Sequence, residues 1–117
     1  MSNKALRGND KTTNLFEEAV RLLAELPEGY SVFLTGAHSR WLSELKYRVR
    51  RFGLVDVHVF TVEEIKYGKL RGRRGVLLVD DVMDMSYKDA MEIRSEQAML
   101  FYSIPPDVRR KLREFMP

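Results

Sequence analysis

Four apolar residues in a row, Val76-Leu77-Leu78-Val79, run straight into a pair of carboxylates, Asp80 and Asp81. A strand with one wet face alternates polar and apolar residues. A run without alternation needs cover on both faces, as flanking helices give a parallel sheet. The rest of the chain supplies such helices. Leu15, Ala19, Leu22, Leu23 and Leu26 follow helical spacing from about Asn14, and Pro27-Glu28-Gly29 ends that helix. Tyr30 to Thr35 reads as a short strand. Gly36-Ala37-His38-Ser39 connects it, with Ser39 as candidate N-cap, to a helix burying Trp41, Leu42, Leu45, Val49 and Phe52 ahead of Gly53. Val55 to Phe60 alternates as a second strand with one polar face. Thr61 and Glu64 then have capping-box spacing and open a short helix. After the apolar strand, Ser86 caps a helix to about Phe101, Ile104-Pro105-Pro106-Asp107 breaks it, and residues 107–117 form a last short basic helix. This alternation predicts an α/β fold: a short, mostly parallel sheet with flanking helices and right-handed crossovers.

At 117 residues the chain has enough length for one core but not two, so a single domain is expected, with residues 1–12 a polar arm or loop. A composition 44% hydrophobic and 32% charged fits a folded soluble chain rather than a disordered one. No apolar run approaches the roughly 20 residues of a bilayer span, so no membrane contact is expected. The chain has no cysteine, which removes disulfides, thiolate metal sites and cysteine nucleophiles together. A cytoplasmic setting is the natural expectation. The six methionines include Met83, Met85, Met91 and Met99, expected in the core or at a partner surface.

The net charge of +3 says little, but its distribution says more. Arg40, Lys46, Arg48, Arg50 and Arg51 crowd the second helix, and Lys69, Arg71, Arg73 and Arg74 crowd the loop before the apolar strand. Either group can be a solvated face or a surface for a phosphate backbone, with Arg48, Arg50, Arg51, Arg71, Arg73 and Arg74 the candidate nucleic-acid contacts. Residues 80–96 are acidic instead, with Asp80, Asp81, Asp84, Asp89, Glu92 and Glu96. His38 and His58 are isolated, too few for a zinc site without cysteines.

In parallel α/β sheets, ligands bind outside the carboxyl ends of the strands, here Thr35 to Ser39, Thr61, and Asp80-Asp81. Paired carboxylates at such an end can hold a hard cation through water. Before the first helix, Gly8-Asn9-Asp10-Lys11-Thr12-Thr13 looks like the end of the phosphate loop G-x-x-x-x-G-K-[ST], in which backbone N–H groups curl round phosphates. Its two defining glycine positions hold Ala5 and Asp10. A second reading is local: Asn14 with Glu17 is a capping box, and the helix starts only there, leaving Lys11-Thr12-Thr13 as a polar lead-in.

Taken in order, these segments resemble the front half of a RecA-like P-loop NTPase of the phage or viral helicase and terminase type, over about residues 7–84. The resemblance implies Mg²⁺ and ATP as cofactors. It implies Gly8, Lys11, Thr12 and Thr13 at the phosphates, Thr12 and Asp80 on Mg²⁺, and Asp81 where such enzymes carry a catalytic Glu. With Asp10 beside the phosphates and Asp81 shorter than Glu, the expectation is weak nucleotide binding or lost hydrolysis, in a nucleic-acid context. The alternative is a non-enzymatic module whose α/β scaffold contacts nucleic acid, or a host or phage protein. A lesser similarity is to phosphoribosyltransferases, whose acidic pair contacts ribose hydroxyls; Asp80, Asp81 and Asp84 match, while Met85-Ser86-Tyr87-Lys88 stands in place of the phosphate loop.

Overall fold

A computed structural model describes the backbone from Lys11 to Pro117 and the side chains from Asn14 onward. The order is α1 (Lys11–Glu25), β1 (Ser31–Gly36), α2 (Ser39–Arg51), β2 (Val57–Val59), α3 (Val62–Lys66), β3 (Gly75–Asp80), α4 (Tyr87–Tyr102) and α5 (Pro106–Lys111). Single 3₁₀ turns follow β3 (Val82–Asp84) and α5 (Arg113–Phe115). The strands form one parallel sheet in the order β2-β1-β3. The expected α/β architecture is therefore present.

Strand periodicity divides the core. Val32, Leu34, Val57, Val59, Val76 and Leu78 face α1 and α2, meeting Leu15, Ala19, Leu22, Leu42 and Leu45. Phe33 and Leu77 face α3 and α4, meeting Ile65, Ile93 and Leu100. The unbroken run at Val76–Val79 thus feeds both faces. Each fully buried side chain of this size stabilises by about 1.5–3 kcal/mol, so these contacts outweigh any single cap at about 1 kcal/mol. Caps set the boundaries instead. Thr61 and Glu64 form both bonds of a capping box, 3.1 and 2.9 Å, and the Ser86 hydroxyl accepts from the Asp89 N–H. Gly53, at φ 64, and Leu54 close α2 by donating to the carbonyls of Arg50 and Val49, a Schellman end.

Two glycines fix how closely β1 and β3 approach. A Cβ at Gly75, whose φ is 154, would overlap the Ser31 carbonyl oxygen. At the other end of the ladder, a Cβ on Gly36 would stand 3.2 Å from the Asp80 carbonyl oxygen. The outer side of β3 is covered by α4, where the Gln97 side-chain amide donates to the Leu77 carbonyl at 2.9 Å.

Several boundaries and burials differ from expectation. Helix α1 begins at Lys11 rather than at the Asn14 capping box, and the residues before it lie outside those described. Strand β2 is confined to Val57–Val59, with Val55 80% exposed ahead of the ladder, because only β1 pairs with it. Phe52, expected in the α2 stripe, is 62% exposed: it sits at the C-cap of α2, between Val49 and Leu54 that do pack on the core, and touches only the ring of Phe16 among described aromatic residues. Trp41 is half-buried against His38. Met83, Met91 and Met99 are exposed and take no part in the core. Among the described residues, no helix is long and apolar enough to cross a membrane.

His58 stacks on Phe33 and Phe60, with ring centroids 5.6 and 6.2 Å away, and Arg73 lies over Phe60 at 5.3 Å. Burial first, then the Arg73 charge, hold the His58 pKa below its ordinary value, with Asp56 opposing. The fold therefore binds this proton less readily than the unfolded chain. The contribution of His58 is complete above its unfolded pKa of about 6.5 and is lost as the pH falls below it. Glu64, held low chiefly by the Thr61 N–H, and Asp89, held low chiefly by its hydrogen bond from Lys66, stay ionised through that window. Between about pH 7.5 and about pH 5.5, the wild-type Tm is expected to fall further than that of His58→Gln. Parallel melting curves for the two proteins would rule His58 out.

Candidate functional site

The strand order places a crevice. From β1 the chain crosses one face through α2 to β2, then returns across the other face through α3 to β3. At their carboxyl ends, β1 continues into α2 on one face and β3 continues toward α4 on the other, so the gap between these two ends is the switch point where doubly wound sheets take their ligands.

At this point the chain turns through Asp81, whose φ of 54 and ψ of 39 make it the one positive-φ non-glycine residue among those described. The left-handed region costs most L-residues roughly 1–2 kcal/mol, and Asp tolerates it better than most. The turn feeds the 3₁₀ segment Val82–Asp84, which brings the Asp84 carboxylate back over the sheet edge. Asp84 Oδ2 lies 2.8 Å from His38 Nε2. One ligand-type atom from each of His38, Asp81 and Asp84 falls within 4.8 Å of the others. The His38 ring stands edge-on to Trp41, centroids 4.9 Å apart, which orients the imidazole. His38 is also the N-cap of α2, not Ser39 as expected; its side chain makes no capping bond, and the first turn holds no acid. The amide groups of that turn therefore face the crevice without a side-chain cap and suit an anion.

A cavity of about 270 Å³ opens beside the cluster, with Gly36, Ser39, Thr61, Glu63, Asp84 and Asp89 in its wall. Two of these wall residues are tied to Lys66, which donates to Asp89 at 2.8 Å and lies 3.8 Å from Glu63. The hydrogen bond from Lys66 first, then its charge, hold the Asp89 carboxyl below its usual range, while the same bond raises the Lys66 pKa.

Two carboxylates and one imidazole leave half of an octahedral shell to water or ligand oxygens, which fits a divalent cation. An all-oxygen set would favour Mg²⁺; the imidazole moves preference toward Mn²⁺ or Zn²⁺.

The expected site residues divide into three groups. Asp80, the last residue of β3, is half-buried opposite Gly36, and Asp81 enters the cluster. Gly8 lies outside the described residues, as do the side chains of Lys11, Thr12 and Thr13, although the backbone of these three forms the first turn of α1. One turn later Leu15 sits with Leu78 and Val79, so α1 starts at the same sheet edge as Asp80. Arg48, Arg50 and Arg51 end α2, and Arg71, Arg73 and Arg74 lead into β3, which puts all six at the opposite, amino edge. Several are engaged there: Arg73 Nε donates to the Lys69 carbonyl, Arg74 lies over Tyr30, and Arg51 reaches the Tyr47 hydroxyl.

The pairing of His38 with Asp84 was missed in the sequence, where the two stand 46 residues apart. The signal for it is topological: both follow strands whose carboxyl ends meet at the crevice.

Comparison with protein-family models, with curated proteins and with solved structures finds no match, so the site rests on its own geometry.

Proposed function

We propose that this chain is a small P-loop-like protein that binds a nucleoside triphosphate with a divalent cation at the carboxyl edge of its sheet, and binds it without efficient hydrolysis. The observation that carries the reading is the convergence of Asp81, Asp84 and His38 at the switch point, on the edge where α1 begins with Lys11-Thr12-Thr13. In this reading Asp81, Asp84 and His38 hold the cation, with Asp80 behind them through water. Lys11 and the amides of the α1 turn receive phosphate oxygens. The cation supplies charge neutralisation for the phosphates. A carboxylate shared with a cation is a poor base, so Asp81 in this role does not activate water, and turnover is not expected.

Calorimetric titration of nucleotide tests this directly. Wild type is expected to bind Mg·ATP weakly but saturably, with binding about tenfold or more weaker in Lys11→Ala and in Asp81→Asn and no phosphate release above background. Mn²⁺ is expected to support tighter binding than Mg²⁺, a preference that disappears in His38→Ala. No heat with either metal at about millimolar nucleotide would sink the reading.

A second reading has its own observation, the gathering of six arginines at the amino edge. Here the fold is a scaffold contacting a phosphate backbone. Binding to single-stranded or duplex nucleic acid is then expected to weaken steeply with salt. Reversing Arg50, Arg51 and Arg71 to Glu should flatten that salt slope by roughly one for each phosphate that is no longer neutralised. Slopes identical in the reversed variant and wild type would exclude this edge.

A further inference from the structure

We propose that the C-terminal end of the fold is a second binding site, selective for a phosphate monoester carried on a flat ring. It is separate from the carboxyl edge and does not depend on the nucleotide reading. Where α4 ends at Tyr102, α5 and the final 3₁₀ turn fold back and leave a cavity of about 270 Å³. Phe101, Pro106 and Met116 give it an apolar lining, and Arg109, Arg110 and Arg113 line it with Tyr102.

Three features of the arginines point to an anion. Arg109 Nε lies out of solvent with no hydrogen-bond acceptor in reach among the described residues. A buried guanidinium donor without an acceptor is costly, and a ligand oxygen would satisfy it. Arg109 is already oriented by stacking over the Tyr102 ring, its guanidinium carbon 5.1 Å from the centroid. Finally, no described carboxylate stands within ion-pair distance of Arg109, Arg110 or Arg113. The neighbouring acid Glu114 is engaged by Arg21 at 2.7 Å.

Size and lining narrow the ligand. The volume is just below the roughly 300–1,000 Å³ of drug-sized sites, which suits one ring system and one anionic group. Three uncompensated guanidiniums favour a dianion over a monoanion, and their planar forks match phosphate oxygens. The apolar wall and Tyr102 offer a surface for a ring that free phosphate cannot use. A purely structural Arg109 would instead serve as a cation near the C-terminal end of α4, a role that Lys fills equally well.

The test uses the full chain with EDTA present, which removes any contribution from the cation cluster. Phenyl phosphate, inorganic phosphate and phenol are titrated by calorimetry into wild type, Arg109→Lys and Arg113→Ala. Wild type is expected to bind phenyl phosphate saturably, inorganic phosphate about tenfold or more weakly, and phenol not measurably. Both variants should lose about tenfold or more in affinity for phenyl phosphate while melting as wild type does. Should Arg109→Lys fail to fold, Arg113→Ala, with its exposed side chain, decides the matter. Equal affinity for phosphate and phenyl phosphate would reduce the site to a bare charge cluster and overturn the proposal. So would wild-type affinity in the variants, or no binding at about 10 mM ligand.

Discussion

The six-pair ladder between β1 and β3, from Ser31–Gly75 to Gly36–Asp80, is the constraint on which the rest of the molecule depends. Each end of it has a glycine: a Cβ at Gly75 would collide with the Ser31 carbonyl, and one at Gly36 would crowd the Asp80 carbonyl at 3.2 Å. A slip of one residue would exchange the two faces of β3, sending Val76 and Leu78 toward α3 and α4 and breaking both hydrophobic clusters at once. The same close approach at Gly36 brings the β1–α2 turn against the end of β3. The core and the candidate site are therefore consequences of a single register.

Much of this fold could be read locally. The capping box at Thr61 and Glu64, the Ser86 cap and the glycine end of α2 are all decided within a few residues, and the structure repeats them bond for bond. What failed were readings that need distance. Periodicity assigns Phe52 to the apolar side of α2, but cannot say that the helix ends there, with Phe52 at its C-cap and the ring largely in solvent. Alternation extends β2 back to Val55, but only backbone pairing with β1 decides where the ladder begins. The start of α1 had two local readings, the Asn14 capping box and a first turn already holding Lys11 and Thr12, and the helix bounds agree with the second.

The candidate site shows the same division. Asp80 and Asp81 were visible because they end an apolar run. His38 and Asp84 were each visible too, but as an isolated histidine and one acid among several. Their contact at 2.8 Å exists only because parallel pairing of β1 with β3 brings the turns after both strands to one crevice. The left-handed turn at Asp81 adds the last step by folding the chain back toward the sheet edge.

Charge separation, seen first along the sequence, becomes separation along the strand axis. Acids gather at the carboxyl edge and arginines at the amino edge, with β1 between them. That strand has six residues, so about 20 Å lies between the two edges. The screening length at physiological salt is about 8 Å, so exposed arginines at one edge do little to neutralise carboxylates at the other. A polyphosphate approaching Asp80, Asp81 and Asp84 would meet negative charge with little long-range relief. A cation bound with the polyphosphate would offset that repulsion beside the carboxylates. Under the proposed function, a cation requirement would follow from this charge layout, and the two edges would act as electrostatically independent surfaces on one small sheet.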